Sequence, residues 1–517
     1  MAFLKSILSI SLISFFSRFV GFIRDIYIAR CFGVSMYTDA FFIAFKIPNF
    51  FRKILSEGAF SQVFLPILIK LKKKEDNKVV NKFISNIFGL IILILAVLIF
   101  LGVFFSSKII LLIAPGFLKN FDKYNITVLL LKIIFPYIFF ICLVALSACV
   151  LNAWNHFLSS SFMPVFLNIS MIIFSIFFSK YFSPSILSLG YSVLFGGFIQ
   201  IILQIFNLYR INRLIIPSFN FKNKPICLFL KKMFPAMLGV SANQISLLCN
   251  TIISSLIISG SVSWIYYADR IIEFPAGILG TSLSTILLPY LSNFFYKNLK
   301  NKFFDLFDWG IKLSIIISVP SSLFVAFFSK YIIFTLFQYG NFSSFDTLMT
   351  QKTLIAYSFG LVSMVLTKVL VSAFYARQDA STPMKISIFS IISAQVMNIF
   401  LVSKLQHIGL ALSFSIGSWV NLLFLFYYLN KKNIFLFKKN WYRFLYIITF
   451  SILLMILTMY FIKNIFIYVY LYSNIIIRFL YLFLFLLISF FSYFFSLFIF
   501  GFNFSKFYKV IKKIKYD

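Results

Sequence analysis

Three ionisable residues interrupt an apolar run near the start of the sequence, where residues 17–25 read SRFVGFIRD. The run is long enough to cross a bilayer, yet it contains Arg18, Arg24 and Asp25. Because an ionisable side chain at membrane depth costs at least about 3 kcal/mol on the mildest scale, these residues need polar surroundings. On a helix, Ser14, Arg18 and Asp25 share one stripe, and Arg24 flanks it.

Two further apolar segments carry charges at helical spacing. In the segment around residue 53, charged residues recur at steps of seven, seven and four, which places them on one helical stripe. In the stretch YYADRIIEFP, Asp269 and Glu273 share a face and Arg270 lies beside it. The segment around residue 53 contributes Asp39, Lys46, Lys53 and Glu57 on the stripe, with Asn49 and Arg52 flanking it.

The chemistry of these residues favours an anionic ligand. Arginine presents a planar fork that matches phosphate oxygens, and it stays charged at any relevant pH. The predicted substrate-binding set is Arg18, Arg24, Arg52, Arg270, Lys46, Lys53 and Asn49. The predicted gating acids, which would pair with these cations when the site is empty, are Asp25, Asp39, Glu57, Asp269 and Glu273. The three segments together predict a shared hydrated cavity for a phosphate-bearing ligand.

Two plainer interpretations stay open for individual charges. Asp25 could serve only to neutralise Arg24 or Arg18, and Arg270 could form one internal pair with a neighbouring acid. Basic residues near helix ends can also extend to lipid headgroups without any functional role. However, three segments each carry several charges, so placing all of them against lipid would be very unfavourable.

Transmembrane helices must position these residues. The chain has 517 residues, of which 61% are hydrophobic, and its apolar segments recur at membrane-spanning length from end to end. The pattern predicts an all-α polytopic membrane protein with about 14 transmembrane helices. Pro48 predicts a kink or break in the second helix. The helix centres lie near residues 18, 53, 95, 140, 170, 196, 243, 276, 320, 362, 392, 418, 452 and 488.

The distribution of basic residues predicts the orientation. Loops after even-numbered helices are rich in Lys and Arg, whereas loops after odd-numbered helices are poorer. The positive-inside rule therefore predicts that both termini are cytoplasmic. The net charge of +34 falls mostly between hydrophobic segments, so membrane topology and contact with anionic membrane lipids explain it, and no nucleic-acid partner is expected.

Sequence motifs for enzymatic chemistry are missing. The chain has two histidines, no CxxC pair, and no GxxxxGK[ST], HExxH or GxSxG motif. We therefore expect no metal site, no cofactor and no catalytic residue, and we predict a transporter and not an enzyme. A membrane glycosyltransferase would need a catalytic carboxylate, usually with a metal, and a sizeable outer loop or domain, but no predicted loop exceeds roughly 25 residues.

A weak internal repeat divides the chain. SQVFLP and STILLP lie 223 residues apart, while LNAWNHFLSSSFMP and LVSAFYARQDASTPM match at offsets of 219 to 220. We interpret the repeat as two six-helix lobes of the same topology around a central cationic cavity. The predicted domains are 1–215 for helices 1–6, 216–432 for helices 7–12, and 433–517 for two extra helices and a basic tail.

The charged stretches SRFVGFIRD and YYADRIIEFP, together with further stretches along the chain, resemble the MurJ/MviN family of lipid II flippases. This family lies within the multidrug/oligosaccharidyl-lipid/polysaccharide exporter superfamily. The resemblance covers essentially the whole chain. It implies a fourteen-helix protein of the bacterial inner membrane, in which helices 13 and 14 form a groove for a lipid tail. The matching residues are SRFVGFIRDIYIARCFG, TDAFFIAFKIPNFFRKILSEGAFSQVFLPIL, APGF, SGSVSWIYYADRIIEFPAGILG, LFQYGNF and FYARQDASTPMK.

The resemblance implies a substrate and a mechanism. The substrate would be lipid II, the undecaprenyl-diphosphate-linked disaccharide-pentapeptide of peptidoglycan synthesis, moved from the inner to the outer leaflet by alternating access. The family's cavity arginines match Arg18, Arg24, Arg52 and Arg270. Its acidic positions match Asp25, Asp39, Glu57, Asp269 and Glu273. Lys53 departs from the arginine of many members, so the charge is kept but bidentate pairing is lost.

Several expectations stay open at this stage. The transport cycle would be coupled to the membrane potential or to an ion gradient. Cell-wall synthesis proteins are the class of protein with which the chain could associate. Two alternative functions are a flippase for another polyprenyl-diphosphate glycan and a cation-coupled drug antiporter of the same superfamily. The arginine-rich set disfavours the antiporter because a positive cavity repels organic cations.

Overall fold

The computed structural model is helical throughout its regular parts. No β-strand occurs in the residues that it describes, which confirms the all-α prediction. Helices suit a chain of this composition because the bilayer interior offers no hydrogen-bond partners, and each helix satisfies its own backbone. The described residues are 2–154, 156–213, 216–219, 224–432, 434, 440–472 and 474–503.

The helices of the first half surround the first two charged segments. Helices α3, α5 and α6 are short, and the others are longer. Their bounds are α1 (Ala2–Phe32), α2 (Met36–Lys53), α3 (Leu65–Lys74), α4 (Asn77–Phe104), α5 (Ser106–Ile113), α6 (Phe121–Ile134), α7 (Tyr137–Ala153), α8 (Phe157–Ile173), α9 (Leu187–Arg210) and α10 (Lys224–Leu256).

The helices of the second half begin with the one that carries the third charged segment. That helix, α11, is also the longest of the group. The bounds are α11 (Ser261–Tyr296), α12 (Lys300–Phe327), α13 (Ser329–Leu336), α14 (Ser344–Ala376), α15 (Ser381–Leu405), α16 (His407–Lys431), α17 (Asn440–Tyr472) and α18 (Ile475–Ile499).

Twelve helical stretches of the described chain are long and apolar enough to cross a membrane. The chain is therefore a multi-pass membrane protein. The predicted helices centred near residues 18 and 243 correspond to α1 and α10, which are long helices outside those twelve. The count of fourteen spans stays a prediction.

The second span is continuous but irregular. Residues Met36–Lys74 are helical throughout, so the chain does not break at Pro48. The helix instead changes its hydrogen-bonding pattern at a π-helical segment, Ile54–Phe64, which joins α2 to α3. Proline removes one backbone donor, and a membrane helix tolerates that loss where neighbouring groups satisfy the freed carbonyl. Of the predicted kink or break at Pro48, the break does not occur, and the kink stays a prediction.

The chain divides into two compact units. Unit 1 comprises Met1–Ser263 and Tyr339–Ser343, and unit 2 comprises Trp264–Gln338 and Ser344–Asp517. Helix α10 falls in unit 1 because it packs on the π-helical segment, where the rings of Phe64 and Phe229 lie 6.3 Å apart. The predicted lobe boundary at residue 215 describes a sequence repeat, and it stays a prediction.

Within unit 1, two loops fit together through glycines. Gly33 and Gly340 both have a φ of +60°, which favours glycine. A Cβ on Gly33 would lie 2.2 Å from the carbonyl oxygen of Asn341, and one on Gly340 would lie 2.3 Å from that of Arg30. The backbone N–H of Asn341 also donates to the Arg30 carbonyl at 3.1 Å. This contact holds the ARCFG end of α1 against the YGNF loop.

Unit 2 has its own helical core. Helix α14 packs on α12 and α16, α15 packs on α16, and α17 packs on α18. The ring of Phe328 stacks on that of Phe485 with centroids 5.3 Å apart, which joins the α12–α13 junction to α18. The helix α11, which carries the third charged segment, enters unit 2 at Trp264.

Candidate functional site

Arg24 and Asp25 form a buried ion pair on α1. The Nη2 and Nε atoms of Arg24 lie 2.6 and 2.9 Å from Asp25 Oδ1, and both residues are buried. Arg24 Nη1 also donates to Asn168 Oδ1 on α8 at 3.0 Å. A buried charge is tolerated when it is paired and hydrogen-bonded. Asp25 and Asn168 therefore help to hold Arg24, and Asp25 supplies its counter-charge in this conformation.

Arg18 lies on the same helix but in different surroundings. Its side chain is exposed, in contrast to Arg24, which is 6% exposed. An exposed guanidinium on an apolar helix can reach an incoming anion without first breaking a buried pair. The side chain of Ser14, the third member of the predicted stripe, lies outside the described residues.

Asp39, near the start of α2, is a fully buried carboxylate with four partners. Oδ2 lies 2.7 Å from Lys123 Nζ and accepts from the Gly260 backbone N–H at 2.7 Å. Oδ1 accepts from the N–H and Oγ of Ser263 at 3.0 and 2.6 Å. Two carboxylate oxygens offer about four acceptor positions, so this side chain is saturated. Asp39 acts as an anchor for the residues that begin α11.

The cations farther along α2 have polar, uncharged contacts. Lys46 Nζ donates to Thr251 Oγ1 on α10 at 3.2 Å. Arg52 Nε donates to Asn49 Oδ1 at 3.3 Å, and Asn49 Nδ2 donates to the Phe45 carbonyl at 3.1 Å. Both cations are half-buried, as is Lys53. Asp39 is matched by Lys123, and the stretch from Lys46 to Lys53 contains three cationic residues and no acidic one.

The predicted stripe on the second span changes at its last member. Spacing of seven, seven and four presumes a regular α-helix, but the π-helical segment starts at Ile54, immediately after Lys53. A π-turn takes more residues than an α-turn. The spacing argument therefore does not extend to Glu57, whose side chain lies outside the described residues.

The third charged segment lies on α11 in unit 2. Arg270 Nη1 lies 3.0 Å from Glu273 Oε2, with the two side chains 31% and 59% exposed. Asp269 is also exposed. Exposed pairs of this kind contribute little to stability because water competes for both charges. The contact between Arg270 and Glu273 is therefore weak by itself.

Three polar partners escaped the sequence analysis. Lys123 looked like a loop lysine, and Thr251 is an ordinary residue of an apolar helix. Asn168 had a usable signal, since it is an amide in the middle of the apolar run VFLNISMII. In the part of the chain that the structure describes, no group of three or more His, Cys, Asp or Glu residues could hold a metal ion.

The comparisons with known proteins agree on one family. The family described as lipid II flippase MurJ matches residues 28–496. A probable lipid II flippase MurJ of Buchnera aphidicola subsp. Schizaphis graminum is 50% identical over 468 residues, covering 90% of this chain and 91% of the relative. The lipid II flippase MurJ of Burkholderia cenocepacia is 36% identical over 444 residues, covering 85% and 86%.

Solved structures agree with the sequence matches. A structure described as lipid II flippase MurJ in an inward closed conformation is similar at a TM-score of 0.78 and 29% identity, covering 97% of this chain and 99% of that one. An inward-facing multidrug resistance MATE transporter of the MOP superfamily has a TM-score of 0.65 at 12% identity, covering 80% and 94%. The MATE likeness concerns the fold alone. The chain belongs to the lipid II flippase MurJ family.

Proposed function

We propose that this chain is a lipid II flippase, which moves the undecaprenyl-diphosphate-linked peptidoglycan precursor from the inner to the outer leaflet of the bacterial cytoplasmic membrane. Membership of the family supports the substrate. The chain acts as a transporter, and its side chains bind the substrate without changing its covalent bonds. Both termini lie in the cytoplasm in this proposal, as the distribution of basic loops predicts.

The observation that carries the proposal is the cluster of cationic residues on α2, which has no acidic residue between Lys46 and Lys53. Lys46, Arg52 and Lys53 are half-buried on one short stretch of helix, and Arg52 donates to a neutral amide. A diphosphate offers several anionic oxygens that can replace such a neutral partner with a stronger, charge-assisted hydrogen bond. Arg18 on α1 and Arg270 on α11 supply further guanidinium groups of the same kind.

The proposed cycle is alternating access. The cations bind the diphosphate from the cytoplasmic side, the isoprenoid tail stays in lipid along α17 and α18, and the site then opens to the outer leaflet. Asp25 and Glu273 neutralise Arg24 and Arg270 when no substrate is bound. An inside-negative membrane potential favours export of an anionic head group by about 2.3 kcal/mol per charge per 100 mV, so the potential is the driving force that we favour over an ion gradient.

The test removes one cation and measures lipid II at the outer leaflet. We expect Arg52→Gln to lower the rate of lipid II delivery roughly tenfold or more, since one charge-assisted hydrogen bond is lost. Arg52→Lys should retain part of the rate because the charge remains. Arg210→Gln is the matched control, as Arg210 is an exposed arginine at the end of α9.

Two outcomes would contradict the proposal. Unchanged lipid II delivery by a folded Arg52→Gln, Arg18→Gln, Arg270→Gln triple variant would remove the cations from the mechanism. Failure of the unaltered chain to support growth of a cell depleted of its own lipid II flippase, with rescue of a cell lacking a different polyprenyl-diphosphate glycan flippase, would reassign the substrate.

A further inference from the structure

Unit 2 contains a basic cavity where several of its helices end. The cavity has a volume of about 230 Å³. It lies between the α11–α12 turn, the end of α14 and the end of α16, all of which follow even-numbered predicted spans and therefore face the predicted cytoplasmic side. None of the residues in the predicted substrate-binding set lines it. The lining residues are Phe294, Phe295, Asn298, Lys300, Phe303, Phe304, Arg377, Lys432 and Ile434.

Three cations face this cavity, and one of them is already neutralised. Lys432 Nζ lies 2.5 Å from Asp379 Oδ2 and also donates to Thr382 Oγ1 at 2.8 Å. The guanidinium of Arg377 lies 5.4 Å from the ring centroid of Phe295 and is half-buried, while Lys300 is exposed. The Asp379 carboxylate offsets the charge of Lys432, so the charges of Arg377 and Lys300 set a positive potential in the cavity.

The backbone adds to this positive potential. Helix α12 begins at Lys300, and its N-cap residue Leu299 provides no side-chain hydrogen bond. The backbone N–H groups of Lys300 and Phe303 donate to the carbonyls of Asn298 and Leu299 at 3.0 Å each. The positive end of the α12 dipole lies at Lys300, which lines the cavity. Phosphate groups are frequent ligands of such helix starts.

Part of the cavity wall is apolar. The side chains of Phe294, Phe303 and Ile434 are buried beneath it. A basic rim over an aromatic and aliphatic wall suits a ligand with an anionic head and an apolar body. It suits a small, strongly hydrated inorganic anion less well, since such an anion gains nothing from the wall.

At the corresponding repeat position in unit 1, two cations contact an aromatic ring. Trp154, at the repeat position of Phe374, has the Nζ of Lys72 and the guanidinium of Arg213 each 4.6 Å from its ring centroid. Arg213 also donates to Asn81 and Asn77 at 2.6 and 2.8 Å, and Lys72 donates to the Ala153 carbonyl at 2.8 Å. The cations of unit 1 are thus used internally, whereas Arg377 and Lys300 line open space.

We propose that the cavity bounded by Arg377, Lys300 and the phenylalanines of α11 and α12 binds the phosphate of an anionic phospholipid headgroup on the cytoplasmic side. The ligand chemistry is a phosphate bearing an apolar body, and inorganic phosphate shares its charged part. The site is additional to the diphosphate-binding cations of α1, α2 and α11. It does not depend on the transport of lipid II.

The experiment titrates the purified full-length protein in neutral detergent and follows its thermal unfolding midpoint. The probes are short-chain phosphatidylglycerol, short-chain phosphatidylcholine and inorganic phosphate. The variants are Arg377→Gln, Arg377→Lys and Lys431→Gln. Lys431 is the matched control because it is an exposed cation next to Lys432 that does not line the cavity. A ligand that binds only the folded protein raises the midpoint with concentration.

We expect phosphatidylglycerol to raise the midpoint of the unaltered protein more strongly than phosphatidylcholine. Arg377→Gln should weaken its apparent affinity roughly tenfold, as for the loss of one charge-assisted hydrogen bond. Arg377→Lys should weaken it less, and Lys431→Gln should leave it unchanged. If inorganic phosphate shows this pattern across the three variants and phosphatidylglycerol does not bind, the anion site is confirmed. Its ligand is then free phosphate and not a phospholipid.

Equal binding of phosphatidylglycerol and phosphatidylcholine would overturn the proposal. An equal loss of affinity in Arg377→Gln and Lys431→Gln would overturn it as well, because general surface charge would then explain binding. Gel filtration of each variant before titration identifies any that fails to fold, and Lys300→Gln provides a second lining variant in that case.

Discussion

The ion pairs of unit 1 and unit 2 use the same residue types under opposite conditions. Asp39 and Lys123 in unit 1 are buried, and the carboxylate accepts four hydrogen bonds. Arg270 and Glu273 in unit 2 are one helical turn apart, and their side chains are half-buried and exposed, respectively. A buried pair is costly to break, whereas an exposed pair exchanges partners easily. The first is suited to fixing structure, and the second is suited to binding a ligand.

The strongest test of this contrast removes one buried charge. We expect Asp39→Asn to lower the free energy of unfolding by about 3–5 kcal/mol, because Lys123 would remain buried without its counter-charge. Glu273→Gln, the matched change in unit 2, should cost less than about 1 kcal/mol. Both values can be measured by chemical unfolding in mixed micelles.

A double variant separates charge from packing at the same position. Asp39→Asn combined with Lys123→Met should recover much of the lost stability, since no unpaired charge is then buried. If Asp39→Asn and Glu273→Gln lower the free energy of unfolding equally, the distinction between the two pairs is wrong.

A smaller effect is expected at the second buried pair. Asn168→Leu removes the amide oxygen that accepts from Arg24 Nη1 but leaves Asp25 in place. The loss of a hydrogen bond to a charged group should lower the free energy of unfolding by about 2 kcal/mol. Ile169→Leu, at the exposed neighbouring position on α8, should change it by less than about 0.5 kcal/mol. Equal unfolding midpoints for the two variants would show that Asn168 does not support Arg24.

The smallest effect concerns a pair of intermediate exposure, Asp379 with Lys432. Burial raises the pKa of the Asp379 carboxyl, but hydrogen bonds from Lys432 and Thr382 together lower it well below its usual range. A depressed pKa gives stability that is present above the unfolded-state pKa of about 3.9 and is lost as the pH falls toward the folded-state value.

The measurement compares the unaltered protein with Asp379→Asn as a function of pH. At pH 7 the difference in the free energy of unfolding should be about 0.5 kcal/mol, as for partly exposed pairs. The difference should stay constant down to about pH 5 and shrink below about pH 4. A difference that grows as the pH falls would have the wrong sign for a depressed pKa.

The sequence predicted the elements better than their contacts. Long apolar segments at regular intervals predict membrane helices because length and hydropathy are local properties, and twelve such spans are present. The adjacency of Arg24 and Asp25 also allowed their pairing to be considered in advance. By contrast, the partner of Asp39 lies 84 residues away in sequence, at Lys123. No single-sequence pattern specifies such a contact, because it depends on how α2 and α6 pack.

The same limit applies to the shape of the second span. Pro48 is visible in the sequence, and proline is a common cause of a kink. The irregularity instead lies in Ile54–Phe64, whose composition carries no mark of a π-helix. The roles of the site residues therefore stay predictions, with Arg18, Arg52 and Arg270 as the cations most readily available to a ligand.

The π-helical segment has a consequence for how the second span can change length. A π-turn contains more residues than an α-turn. The segment therefore contains more residues than an α-helix that rises by the same distance. Converting one such turn to α spacing would rotate all later residues by roughly 100° about the helix axis. The α3 end of the span would thereby change the direction it faces while Asp39 stays anchored. The orientation of α3 about the helix axis would then change independently of α2.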